Sequence, residues 1–165
     1  MRESMSTRFL AILFLDLPLL GHAQQKADLV VVKKSESRLY LEHAGKAFVS
    51  FKLAFGGQPK GHKERVGDKR TPEGSYVLDS KNAGSAFYRA IHISYPNTQD
   101  RAHAQARGED PGGLIMVHVQ KNGFSWLSPI TQLFNWTDGC IALSNKDMDA
   151  VWSAVDVGTP IQILP

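Results

Sequence analysis

The residues best suited to chemistry in this 165-residue chain are its only cysteine and one of its six histidines. Cys140 lies at the end of a polar turn that runs into apolar residues, and His118 ends an apolar run upstream. A thiolate attacks carbonyl carbons, and a nearby imidazole can accept the thiol proton and return it to a leaving amine. Gly139 permits an unusual backbone angle and lets backbone amides approach an oxyanion. The pattern predicts acyl transfer with Cys140 as nucleophile and His118 as general base, although each residue alone is also typical of a core.

The first 23 residues have the composition of a secretory signal peptide. Two arginines accompany an apolar stretch from Phe9 to Leu20, and Gly21-His22-Ala23 offers the small residues that signal peptidase accepts. The stretch is too short to span a bilayer and contains an acid and a proline. We therefore expect cleavage after residue 23 and an exported protein that acts in the periplasm or cell envelope. A single cysteine there cannot form an internal disulfide, so it is either a buried apolar residue or a reactive thiol.

Length and charge favour one compact domain. Residues 24–165 lie near the commonest domain size, and no second domain is needed. The formal net charge of +3 suits contact with anionic polymers. No block of lysine and arginine is present, so nucleic acid is not an expected partner.

Short strands dominate the predicted secondary structure. Apolar runs and alternation place strands at residues 28–34, 38–43, 47–55, 76–79, 87–94, 114–117 and 159–164. Helices are predicted at residues 98–107 and 144–155. Ala44-Gly45 marks a turn, polar residues 56–70 form an exposed loop, and Ser144 caps the second helix. The strand at 114–117 delivers His118.

A second motif, from Gly67 to Tyr76, combines turn residues with the start of a strand. Pro72 fixes its own φ and restricts the residue before it, while Gly74 tolerates a positive φ. By itself this segment predicts a rigid structural corner.

Together these segments resemble the L,D-transpeptidase catalytic domain, the YkuD-type family that remodels bacterial peptidoglycan. The resemblance extends from about Asp28 to the C-terminus. Three blocks carry it: Gly-x-x-x-Thr-Pro-x-Gly-x-Tyr at residues 67–76, the His118 strand, and Thr137-x-Gly-Cys140 with its apolar tail. Eighteen residues separate His118 from Thr137, as is typical of the family. The resemblance implies a mainly β fold, a mixed β-sandwich with a few short helices.

The resemblance also implies a reaction. Cys140 would attack the peptide bond between an L-centre and a D-centre in a cell-wall stem peptide, while the carbonyl of Val119 orients His118. Amides of Gly139 and Cys140 would hold the oxyanion. D-alanine would then depart, and an acyl thioester would remain on Cys140. An amine of another stem peptide, a D-amino acid or water would release it. No metal or cofactor is implied, and β-lactams of the carbapenem type are expected to be covalent inhibitors.

Three positions depart from the family pattern. Asp138 stands where histidine is common, and a carboxylate there would oppose thiolate formation if it pointed toward the thiol. Ala142 replaces a common arginine, and Val119 replaces a common glycine. Thr137 and Asp138 are candidate substrate-binding residues. The cations left to bind a substrate carboxylate are Arg89, Arg101 and Arg107.

The remaining histidines are interpreted as structural or solvated. His92, His103 and His118 lack the spacing of zinc ligands, so no metal site is predicted. His43 and His62 are expected in solvated loop or edge positions.

Two alternatives to transpeptidation stay open. A hydrolase of the same family would pass the acyl group to water, either trimming stem peptides or releasing a wall-attached protein. A non-catalytic peptidoglycan-binding module would keep the fold without activity. Trp126 and Trp136, between base and nucleophile, either cover the substrate or pack.

Overall fold

The computed structural model describes residues 25–123 and 128–165. The predicted signal peptide and Trp126 lie outside them. The described elements, in chain order, are β1 (Leu29–Lys33), β2 (Arg38–His43), β3 (Lys46–Lys52), β4 (Gly74–Ser85), β5 (Tyr88–Ile93), α1 (Thr98–Ala106), β6 (Met116–His118), α2 (Ser128–Thr131), β7 (Ile141–Ala142), α3 (Asn145–Ala154) and β8 (Thr159–Leu164). The prediction of a mainly β fold with few short helices is confirmed. Within the described residues no helix is long and apolar enough to cross a bilayer.

The eight strands form one mixed sheet in the order β3-β2-β1-β8-β4-β5-β6-β7. Only the β1–β8 and β6–β7 pairs are parallel. The two-residue turn between β2 and β3 has φ values of 50° at Ala44 and 73° at Gly45. Positive φ at both positions matches the right-handed twist of a tight hairpin, and it confirms the predicted turn.

The two edge strands of this sheet are joined, which makes it curl on itself. After β3 the chain crosses to the opposite edge, where Ala54 and Ala142 exchange backbone hydrogen bonds of 2.9 and 2.8 Å. Thr137 then donates to the Phe55 carbonyl at 3.1 Å, and Gly57 donates to the Thr137 carbonyl at 2.9 Å. The predicted third strand therefore ends early, at residue 52, because the chain beyond it pairs with a different strand. The sandwich expected from the resemblance is one continuous curled sheet.

The core fills the inside of this curl and is closed by α3. The largest fully buried side chains are Phe55, Leu39, Leu41, Leu53, Leu78, Ile91, Ile93, Ile141, Leu143, Met148, Ile161 and Ile163. They come from strands across the whole sheet and from one face of α3. Each strand contributes only the side chains of its inner face. In β8, for example, Ile161 and Ile163 are buried, whereas Pro160 and Gln162 are exposed.

One sequence interpretation was wrong. His62 was expected to be solvated, but its Nδ1 accepts the Glu73 N–H at 3.0 Å and its Nε2 lies 3.1 Å from Asp100. Asp100 is buried and also accepts the Tyr76 hydroxyl at 3.1 Å. His62 therefore joins the corner after the 56–70 loop to α1. His43 is exposed, as expected, 3.6 Å from Asp28.

The cap of α3 gives a direct test of the fold. Ser144 Oγ accepts the Asp147 N–H at 3.2 Å, as the sequence predicted. We expect Ser144→Ala to lower the free energy of unfolding by about 1 kcal/mol, because an N–H of the first turn loses its acceptor. Ser153→Ala, at an exposed position of the same helix, should change it by less than about 0.5 kcal/mol. Urea unfolding of both variants measures the difference, and equal losses would contradict the capping role.

Candidate active site

The sheet brings the histidine and the cysteine side by side. In the parallel β6–β7 pair, His118 is in register with Ala142. Cys140 comes just before β7, two residues from Ala142. Because side chains alternate between the two faces of a strand, Cys140 and His118 lie on the same face, two positions apart along the strands. The two residues that the sequence predicted as a catalytic pair therefore belong to one site.

His118 is held in one orientation and one tautomer. Its Nδ1 donates to the carbonyl of Val119 at 2.6 Å, which leaves Nε2 as the proton acceptor. The ring packs against Phe87, with ring centroids 4.8 Å apart, and lies edge-on to Trp136 at 6.0 Å. Burial lowers the pKa of His118, and the hydrogen bond to Val119 opposes this only in part. The imidazole is therefore held as a neutral base.

The Cys140 thiol makes its own hydrogen bonds on the opposite side. Sγ donates to the carbonyl of Leu114 at 3.6 Å, and the backbone of Met116 contributes a hydrogen bond that favours the thiolate. Leu114 has a φ of 55°, in the left-handed region that residues other than glycine rarely adopt. Among the described residues no hydrogen bond joins Sγ to His118. In this structure the thiol proton therefore points toward Leu114 rather than His118.

Burial and charge make the thiol a weak acid. Burial is the largest cause that raises the pKa of Cys140, and the Asp138 carboxylate raises it further. The Met116 hydrogen bond and the Lys63 ammonium act in the opposite direction without overcoming these effects. The lowered histidine pKa and the raised cysteine pKa both favour a neutral pair over a thiolate–imidazolium pair.

The turn before the cysteine is built around a close backbone contact. Gly139 has a φ of 125°, and a Cβ there would lie 2.6 Å from the carbonyl oxygen of Arg70. Its N–H donates to Thr137 Oγ1 at 3.2 Å, and that hydroxyl donates to the Cys140 carbonyl at 2.7 Å. Only glycine fits this position, because both its backbone angle and its contact exclude a side chain.

In this geometry two of the predicted site groups form hydrogen bonds within the turn. Gly139 was expected to supply an oxyanion amide, but its N–H is already bonded to Thr137. Thr137 was expected to bind substrate, but its side chain is buried and both of its hydrogen bonds lie inside the turn. The Cys140 N–H makes no hydrogen bond with any described residue, so it is the amide left free to bind an oxyanion.

The corner at residues 67–76 packs against the turn that precedes Cys140. Thr71 Oγ1 accepts the Gly56 N–H at 3.3 Å, and the neighbouring Arg70 carbonyl contacts Gly139. The buried ammonium of Lys34 donates to the Gly61 carbonyl at 2.7 Å and to Glu73 Oε1 at 2.6 Å, which ties this corner to β1. These contacts agree with the rigid structural corner that the turn residues of this segment predicted.

The candidate arginines do not reach the thiol. Arg89 pairs with Asp149 at 2.9 Å and lies over the ring of Trp152, so its guanidinium packs against α3. Arg101 is exposed and donates to the Pro96 carbonyl. Arg107 pairs with Glu109 at 3.1 Å. The structure therefore gives none of the three a contact with Cys140 or His118.

The structure also shows where the three residues that depart from the family pattern lie. Ala142 is fully buried in β7, paired on one side with His118 and on the other with Ala54, so it supplies no charge. Asp138 is exposed beside the thiol. Val119 keeps the carbonyl contact that the resemblance implied. Within the described residues no three histidine, cysteine or acidic side chains come together as metal ligands would.

Sequence reasoning missed three contributors. Phe87 packs on His118, Leu114 binds the thiol through its carbonyl, and Lys63 places a buried positive charge near Cys140. Phe87 and Leu114 were assigned only to strands, and Lys63 to an exposed loop. No motif marks them, because each acts through its position in the folded chain.

Comparison with known proteins identifies the family. The sequence matches the family described as YkuD, the L,D-transpeptidase catalytic domain, over residues 27–163. This chain therefore belongs to the L,D-transpeptidase catalytic domain family.

Three relatives illustrate the match. The putative L,D-transpeptidase YafK of Escherichia coli K12 is 30% identical over 97 residues, which are 58% of this chain and 32% of that protein. The helical cell shape determining protein Pgp2 from Campylobacter jejuni has a TM-score of 0.60 and 27% identity, covering 82% of this chain and 46% of that one. The LD transpeptidase LdtMt1 in complex with imipenem has the same fold, with a TM-score of 0.53 and 19% identity, covering 82% and 58%. The chain thus spans less than half the length of the first two.

The contact between Gly139 and Arg70 predicts a strong effect of Gly139→Ala. We expect a loss of about 3 kcal/mol or more in the free energy of unfolding, from backbone strain and from the clash with a backbone carbonyl. Gly45→Ala is the matched control, because Gly45 also has a positive φ but nothing within 4 Å of an added Cβ. Its loss should be about 1 kcal/mol. Urea unfolding measures both, and equal losses would show that the contact is unimportant.

The raised pKa of Cys140 predicts slow alkylation at neutral pH. With iodoacetamide, the rate should reach half its maximum above the usual thiol value of about 8.5, because burial and Asp138 disfavour the thiolate. Asp138→Asn should move this midpoint to lower pH and raise the rate at pH 7. Asp156→Asn, an exposed carboxylate paired with Lys26, should leave it unchanged. Intact mass follows the reaction at the single thiol, and an unshifted Asp138→Asn midpoint would contradict the charge effect.

Proposed function

We propose that this protein is an L,D-transpeptidase that acts on peptidoglycan stem peptides through an acyl thioester on Cys140. The observation that carries the proposal is the hydrogen bond from His118 Nδ1 to the Val119 carbonyl. It leaves Nε2 as a neutral acceptor on the same face as the thiol. A buried, oriented imidazole on the same face as the thiol supports the proposal, because its free nitrogen can accept the thiol proton.

In the first step a stem peptide binds with the carbonyl of an L-centre next to the thiol. The Cys140 proton moves to His118 Nε2 while the Sγ–carbon bond forms, and the Cys140 N–H stabilises the oxyanion. When the carbon–nitrogen bond breaks, His118 returns the proton to the leaving D-alanine. An acyl thioester and neutral imidazole remain, so protons and charges balance.

In the second step an acceptor amine gives its proton to His118 and attacks the thioester. The new amide forms as the Sγ–carbon bond breaks, and the thiol is regenerated by proton return. Water as acceptor would make the protein a hydrolase by the same residues. We propose that this chemistry takes place in the periplasm or cell envelope, where stem peptides occur, in keeping with the signal peptide predicted from the sequence.

Incubation with a purified disaccharide-tetrapeptide tests the proposal. We expect cross-linked dimers and released D-alanine, detected by mass spectrometry, that disappear in Cys140→Ala. His118→Ala should slow the reaction about 10²-fold to 10⁴-fold, because the thiol loses its general base. Disaccharide-tripeptide without dimers would identify the hydrolase instead.

A covalent inhibitor separates both enzymes from a non-catalytic binding module. Imipenem is bound in the LdtMt1 structure, and we expect it to acylate Cys140 here. Intact mass should show one adduct on the native protein and none on Cys140→Ala. A native protein that forms neither adduct nor product under these conditions would sink the enzymatic proposal.

A further inference from the structure

A pocket of about 340 Å³ lies beside the thiol and has no part in the reaction described so far. Its walls are formed by Lys63, Val66, Gly67, Gly112, Gly113 and Asp138. Glycines form part of its wall: a Cβ at Gly112 would lie 3.4 Å from the Val66 Cα and 3.6 Å from the Lys63 Cε. The backbone at Gly112 therefore packs directly against Val66 and Lys63, with no side chain between them.

Two chain segments connect this pocket directly to the nucleophile. Gly112 and Gly113 line it, and the next residue, Leu114, binds Sγ through its carbonyl at 3.6 Å. Asp138 lines it from the other side, two residues before Cys140. A group attached to the acyl carbon of a thioester would thus have a short path into the pocket.

The pocket and the base lie on opposite sides of the thiol. The β6–β7 register places Met116 level with Cys140 and His118 two residues further along β6. Leu114 lies two residues in the other direction, on the pocket side. Leaving and attacking amines must exchange protons with His118, so they belong on the histidine side. The pocket side is left for the side chain of the residue whose carbonyl is attacked.

Of the two charged side chains that line the pocket, Lys63 has an ion-pair partner and Asp138 has none among the described residues. Lys63 is buried and pairs with Asp68 at 2.8 Å, while its Nζ also donates to the Arg65 carbonyl at 3.0 Å. Burial alone would raise the pKa of Asp68, but hydrogen bonds from Lys63 and from backbone amides lower it to about 2. The Lys63 ammonium is therefore paired with Asp68, and it favours the Cys140 thiolate only weakly. Asp138 is exposed and makes no hydrogen bond or ion pair with any described residue.

We infer that this pocket is a subsite for a primary ammonium group on the side chain of the acyl donor, with the Asp138 carboxylate as its recognition residue. The inference rests on the proposed function and makes Asp138 a specificity-determining residue. A stem peptide with a diamino acid at the attacked position carries such a group. Acetylation of the amine would remove the charge that Asp138 recognises and enlarge the group at its end.

Two tetrapeptides test the subsite: L-Ala-γ-D-Glu-L-Lys-D-Ala and its Nε-acetyl form. We expect the native protein to release D-alanine from the free-amine peptide about threefold to tenfold faster, in kcat/KM, than from the acetylated one. Asp138→Asn should abolish this preference. Both peptides meet the same free protein, so the effect of this substitution on the thiol pKa of the free protein cancels in the ratio of their kcat/KM values. Asp156→Asn should keep the native preference.

Binding measured without turnover separates this inference from the proposed function. In a Cys140→Ala background, calorimetry should show tighter binding of the free-amine peptide, and adding Asp138→Asn should remove the difference. That result would support the subsite even if no D-alanine were released by the native protein. Equal binding of the two peptides to Cys140→Ala, or an unchanged preference after Asp138→Asn, would overturn the subsite while leaving transpeptidation intact.

Discussion

The site depends on the backbone hydrogen bonds that join the two edges of the sheet. These bonds surround the turn at residues 137–142. Backbone bonds from Ala54 and Phe55 hold one side of this turn, β6 holds the other, and the Arg70 carbonyl presses against Gly139. A short turn on its own would sample many conformations. Because three separate chain segments fix it, the thiol and the free Cys140 N–H have defined positions relative to the histidine.

The same enclosure sets the protonation of the site. Burial disfavours any charged form, so it lowers the pKa of His118 and raises that of Cys140. A neutral thiol resists oxidation and alkylation better than a thiolate, at the cost of nucleophilicity. Under the proposed function, the base would act during the attack rather than before it, and the Val119 carbonyl would keep Nε2 available for that transfer.

Sequence patterns predicted much of this architecture but not its charge balance. Alternation placed β2 and β8 correctly, and a serine followed by an apolar face placed α3 within one residue at each end. The candidate pair, Cys140 and His118, followed from residue type and spacing. The short β7, the partner of Gly139 and the roles of Lys63 and Phe87 could not be predicted, because each depends on residues that meet only after the sheet closes. The hydrogen bonds of Thr137 and of the Gly139 amide could not be predicted for the same reason, since they are internal to a turn that the sequence does not specify.

Asp138 and Ala142, the two departures from the family pattern nearest the thiol, together affect the charge around Cys140. Ala142 brings no cation, and the Lys63 ammonium, which is paired with Asp68, does not overcome burial and the negative field of the unpaired Asp138, which together disfavour the thiolate. Under the proposed subsite, a bound ammonium group would offset that field and lower the thiol pKa while the substrate is in place. Asp138 would then suppress thiolate formation in the free protein and relieve this suppression when the matching substrate arrives. A family member with a cation at position 142 would lack this dependence, because its thiolate would be stabilised whether or not substrate was bound.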